Sequence, residues 1–131
     1  MAVVVGYVPG PPGAAALHAG LQEARLRGAR VVVVNASRGD ALVDDRFVQG
    51  PALEELRAQL EESGLAYEIR QPVRGRDITD EVVDVVDEVG ADLVVIGLRK
   101  RSAVGKLLLG SAAQRLLLEV PCPVLAVKVP T

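Results

Sequence analysis

Asp92-Leu93-Val94-Val95-Ile96-Gly97-Leu98-Arg99-Lys100-Arg101-Ser102-Ala103-Val104-Gly105-Lys106-Leu107-Leu108-Leu109-Gly110-Ser111 passes from an unbroken apolar run through a basic, glycine-spaced stretch to a serine. The first part reads as a strand apolar on both faces, ended by Gly97, and the last as the opening of a helix. A buried parallel strand that empties into backbone N–H groups and cationic side chains is a common way to hold a phosphate.

Working outward, the same alternation of short β-branched runs and helical periodicities fills the chain. Strands are expected at 2–7, 30–35, 66–73, 92–97 and 123–129. Between them Leu17, Leu21 and Ala24 share one helical face, as do Leu53, Leu56 and Leu60, and then Ile78, Val82, Val85, Val86 and Val89. Gly28, Gly64 and Gly90 stand where left-handed helix ends are wanted. Asp77 is placed to cap the third helix, and Ser111 with Gln114 forms a capping box for the fourth. Asp80, Glu81, Asp84, Asp87 and Glu88 are assigned to the outward face of the third helix.

This order implies an α/β fold: one parallel five-stranded sheet, helices on both faces, right-handed crossovers. Strands one, two and four are apolar on both faces and belong inside. Leu65, Tyr67, Ile69 and Val73 alternate with polar residues, as an edge strand would. With strand five at the other edge the order is 3-2-1-4-5, a three-layer, flavodoxin-like arrangement. Its winding reverses between strands one and four, and open sheets bind ligands outside the carboxyl ends of their strands at such a reversal. Residues 8–13 and 97–111 line that crevice.

Composition narrows the function. The 131 residues, half of them hydrophobic, suit one domain over 1–131. Two Tyr, one Phe and no Trp leave no stacking platform for single-stranded nucleic acid, and a net charge of −2 gives no general polyanion footprint. Arg99, Lys100, Arg101 and Lys106 make the one dense basic patch. No apolar run approaches a membrane span, no secretion signal opens the chain, and the single Cys122 suits a reducing compartment. A cytoplasmic protein without nucleic-acid or membrane partners is the expectation.

On these residues the chain resembles the universal stress protein family. That family's phosphate loop is glycine, two residues, glycine, nine residues, glycine and then Ser or Thr. Gly97, Lys100, Gly110 and Ser111 keep the spacing with lysine in place of the second glycine. Residues 91–97 resemble the family's fourth strand, and Val120-Pro121-Cys122-Pro123-Val124-Leu125-Ala126-Val127 its closing strand. The resemblance implies a stress-response protein that binds ATP or another adenine nucleotide, with Mg, at the carboxyl ends of strands one and four. It also implies a homodimer formed through the final strand, and it places Ala36 against adenine. Ile96 completes the implied set with Val8, Gly97, Arg99, Lys100, Gly110, Ser111 and Ala112.

Two departures qualify that implication. The family's first strand usually ends in an aspartate that lies at the nucleoside, and Val8 stands there instead. Lys100 either distorts the loop or supplies a point charge to a phosphate. A nucleotide-free, dimeric interaction protein of the same fold is therefore the alternative.

Elsewhere the plain structural reading prevails. His18, the only histidine, has no acid or cysteine beside it, which argues against catalysis and against a metal cage. Cys122, between two prolines, reads as a small buried thiol. Asp44 and Asp45 read as keeping a loop soluble. Tyr7 and Asn35, closing strands one and two, are placed near the mouth where a base or ribose sits. Residues 100–107 superficially resemble a Walker loop but lack its glycine at 100 and its Ser or Thr at 107. No nucleophile, base and orienting group converge, so no enzyme activity beyond slow ATP hydrolysis is expected.

Overall fold

The valine runs set the layers. In a computed structural model, which describes residues 1–35, 48–72, 76–98 and 111–129, five parallel strands pair in the order β3-β2-β1-β4-β5. They are β1 (Ala2–Gly6), β2 (Arg30–Val34), β3 (Tyr67–Arg70), β4 (Leu93–Leu98) and β5 (Val124–Lys128). The helices are α1 (Pro11–Arg27), α2 (Pro51–Ser63), α3 (Ile78–Val89) and α4 (Ser111–Glu119). Because successive strand residues face opposite ways, Val3, Val5, Val31, Val33 and Val95 pack with Leu17, Leu56 and Leu60 of α1 and α2. Val4, Val32, Val34, Val94 and Ile96 pack with Val82, Val85, Val86 and Leu116 of α3 and α4. Three layers in the expected order result. No helix among the described residues is long and apolar enough to cross a membrane.

Local chemistry supports the helix ends. The Asp77 carboxylate accepts the Thr79 N–H at 2.9 Å, and Gly28, Gly64 and Gly90 take left-handed conformations after α1, α2 and α3.

Three expectations need correction. The third strand is shorter than 66–73, because Gln71 turns its amide to Val48 and Asn35 and the following Pro72 has no N–H to give the ladder. Gly97 does not end the fourth strand, which runs on to Leu98 and pairs Gly97 with Val127 and Leu98 with Lys128. Glu81 is not on the outward face of α3: it is 1% exposed, its carboxylate 3.6 Å from the Arg76 Nε. Position 81 lies three residues after Ile78 and four before Val85, so helical arithmetic puts it inside the apolar stripe.

The edge strand β3 splits its two faces. Tyr67 and Ile69 pack on the α1 and α2 side, while Glu68 and Arg70 form ion pairs with Arg30 and Glu88. Charges along an edge discourage pairing with another chain.

Candidate functional site

The pairing registers open a gap at the carboxyl end of the sheet. β1 and β4 are paired only through Val5 and Val95. Beyond that point β1 stays with β2, through Gly6 opposite Val34 and the Tyr7 N–H donated to the Val34 carbonyl at 2.9 Å. β4 stays with β5 through Leu98. The two central strands therefore part beside Gly6 and Ile96, at the winding reversal where a ligand crevice belongs.

α1 follows β1 and α4 follows β4 in the chain, and their first turns differ. Pro11 and Pro12 carry no N–H, and the Ala14 N–H is donated to the Gly10 carbonyl at 3.0 Å, so α1 offers few free amides. Gly10, with φ at 112°, makes the sharp entry. α4 opens with Ser111 and Ala112, both exposed and each carrying a backbone N–H. The start of α1 therefore offers fewer backbone donors than an ordinary helix N-terminus.

α4 is held from the side by an ion-pair cluster that sequence reasoning did not single out. One turn after Ser111, Arg115 donates to Asp80 at 2.8 Å and to Glu119 at 2.9 Å, and its guanidinium lies 3.8 Å from Asp77, the α3 cap. These carboxylates, the Asp80 hydrogen bond foremost, raise the Arg115 pKa further above its already high value. The signal was available: an arginine four residues from an acid on α4, facing the acidic first turn of α3.

The structure reassigns several predicted site residues. Gly97 is glycine for a packing reason: a Cβ there would stand 2.9 Å from the Pro12 Cα and overlap the Pro12 carbonyl. Its small size serves the docking of α1, so it is no independent sign of a phosphate. The Ile96 side chain, 8% exposed, faces the α3 and α4 side near Gly6 and Val82. Val8 is half-buried, its backbone pressed on Gly13 at the start of α1. Ala36, Arg99, Lys100 and Gly110 lie outside the described residues, as do Asp44, Asp45, Arg101 and Lys106.

Asn35 does not offer its amide to the mouth. It is fully buried and holds neighbouring backbone instead. The Tyr7 hydroxyl is driven to higher pKa by burial and secondarily by Glu55 of α2. Burial likewise raises the Cys122 thiol, which packs partly against the α3 and α4 layer. His18 is exposed, beside a groove of about 280 Å3 between α1 and α2. Among the described residues no three His, Cys, Asp or Glu side chains gather as metal ligands.

The model of the Universal stress protein family matches residues 1–128. The chain belongs to this family. A universal stress protein of Mycolicibacterium smegmatis is 52% identical over 126 residues, covering 96% of each chain. The structure of the universal stress protein from Archaeoglobus fulgidus in complex with dAMP superposes with a TM-score of 0.70 at 29% identity, covering 98% of both chains. A universal stress protein in complex with cAMP superposes with a TM-score of 0.73 at 27% identity, covering 99% of this chain and 98% of that one.

Proposed function

We propose that this universal stress family member binds an adenine nucleotide where β1 and β4 part, the phosphate at the opening of α4 and the nucleoside toward the turn after β1. The observation that carries the reading is the register break after Val5 and Val95, with the exposed Ser111 and Ala112 opening the helix that follows β4. The dAMP and cAMP complexes of the two structural relatives support the ligand class. In this reading Ser111 and Ala112 face the phosphate, Val8 and Ile96 flank the nucleoside, and Gly97 borders both. Ala36, Arg99, Lys100 and Gly110 complete the set from the sequence pattern.

Magnitudes show what must carry affinity. A helix N-terminus contributes about 0.3–1 kcal/mol to an exposed anion, whereas micromolar binding needs about 8 kcal/mol. Burial of the base against apolar walls and the basic residues 99–101 must supply the rest. The reading routes no step through a divalent cation. It assigns the protein a response by shape or partner choice rather than turnover.

Calorimetry with ATP, ADP, AMP and cyclic AMP tests it. A nucleotide at about 100 times its dissociation constant adds roughly 2.7 kcal/mol to stability, so a thermal shift accompanies the heat. Neither heat nor shift at millimolar ligand ends the reading. Val8 in the aspartate position and the Pro12 backbone against Gly97 favour the second reading, a nucleotide-free dimer joined along the apolar β5 edge.

A further inference from the structure

We infer that Asn35 is a positioning residue for the nucleoside end of the crevice, fixing the turn after β1 through its side-chain amide. The inference rests on the nucleotide reading above. Asn35 follows β2 and is fully buried. Its Nδ2 donates to the Tyr7 carbonyl at 3.0 Å, and its Oδ1 accepts the Val48 N–H at 2.9 Å and the Gln71 Nε2 at 3.2 Å. Gln71 Nε2 also donates to the Val48 carbonyl at 2.6 Å, and the Asn35 N–H donates to the Arg70 carbonyl at 3.0 Å. One amide thus joins the ends of β1, β2 and β3 with the chain entering α2.

Its orientation is dictated by its partners, since the Tyr7 carbonyl needs a donor and the Val48 N–H an acceptor. Tyr7 is fastened to β2 twice, by its own N–H to Val34 and by its carbonyl to Asn35. Val8 is the first residue clear of the sheet, and its backbone is already seated on Gly13. The turn 8–10 is therefore suspended between two fixed points, one of them this amide. A neutral carboxamide is required, because an ionised carboxylate of the same shape keeps the acceptor and loses the donor. The network places Asn35 behind the turn, so it acts on a ligand through Tyr7 and Val8.

The test compares wild type, Asn35→Asp and Gln71→Met. Asn35→Asp keeps the acceptor for Val48 and Gln71 and loses the donor to the Tyr7 carbonyl, and Gln71→Met loosens the Val48 side. We expect AMP affinity to fall about tenfold in Asn35→Asp near pH 8, within the range by which groups remote from a ligand modulate binding. Acidification that protonates the new carboxyl returns a donor and restores affinity, while Gln71→Met stays within about twofold of wild type. In the free protein, hydrogen exchange at the Tyr7 and Ala14 amides, bonded to Val34 and Gly10 on either side of the turn, accelerates in Asn35→Asp and not in Gln71→Met. Unchanged exchange at those amides overturns the positioning role whether or not AMP binds. Faster exchange there, with wild type failing to bind AMP, fails the nucleotide reading alone. Faster exchange with unaltered AMP affinity overturns the link between this turn and the ligand. Should Asn35→Asp not fold at neutral pH, Asn35→Ser carries the exchange and affinity readouts without the acid rescue.

Discussion

Gly13 sits directly against Val8: a Cβ on Gly13 would stand 2.9 Å from the Val8 carbonyl carbon and overlap its oxygen. Gly97 meets Pro12 in the same manner, and a Cβ on Gly20 would stand 2.5 Å from the Val5 Cγ2. α1 rests on the sheet at three points that lack side chains. Backbone obstacles cannot swing aside, whereas a valine methyl can shift. Gly13→Ala and Gly97→Ala should each lower unfolding free energy by about 2–3 kcal/mol without ligand, and Gly20→Ala by about 1 kcal/mol, in urea titrations. A wild-type midpoint for Gly97→Ala would disprove the contact with Pro12.

Restoring the family's acid addresses the nucleoside pocket. Val8 is half-buried at the mouth, so an aspartate there keeps part of its hydration while gaining reach to a ribose hydroxyl. Val8→Asp combined with Lys100→Gly should raise ATP affinity about tenfold, the value of one hydrogen bond to a charged group. Equal calorimetric affinity for wild type and the double variant would show that neither departure weakens the site.

The Arg115 cluster is exposed, so its worth is small and screened. Arg115→Gln should lower the melting temperature slightly in dilute buffer, and the difference should vanish at about 1 M salt, where charges are screened within about 3 Å. A salt-independent loss would mean that Arg115 acts by packing its stem rather than by its charge.

Raised acid constants leave a signature on the alkaline side. Burial disfavours the Cys122 thiolate, and the thiolate is the reacting species, so an aromatic disulfide reagent should label folded protein at neutral pH more slowly than urea-unfolded protein. For Tyr7 the folded value lies above the unfolded one, near 10. Its contribution is fully present below pH 10 and lost as pH climbs through the folded value. Phe at position 7 should flatten that alkaline fall. Identical labelling rates for Cys122 in the two states would contradict its burial.

β5 presents Leu125, 36% exposed, on an edge strand whose other residues are Val124, Ala126, Val127 and Lys128. If two copies join there, Leu125→Lys should shift sedimentation at micromolar concentration from dimer to monomer while leaving the melting curve of the subunit intact. A monomeric wild type removes the dimer from both functional readings.

How much of this was legible beforehand follows from what periodicity encodes. Runs such as Val31 to Val34 state their burial on both faces directly, which is why the strand order could be read. The stripe of Ile78, Val82, Val85 and Val86 was equally plain, yet Glu81 was misplaced because chemical type was weighed above angular position. The closeness of α1 to the sheet was hidden: glycines at 13 and 20 lie seven apart on one face, but nothing local names Val8 or Val5 as what they meet. Asn35 was found as a candidate for the wrong reason, since a sequence shows an amide at a strand end and not the Tyr7 carbonyl, the Val48 N–H and the Gln71 side chain that engage it.

The two prolines that open α1 give the crevice a direction. Under the nucleotide reading, an anionic tail finds no N–H at Pro11 or Pro12, which favours one orientation between β1 and β4. Handedness of binding is thus written into α1 by the removal of two hydrogens from its backbone.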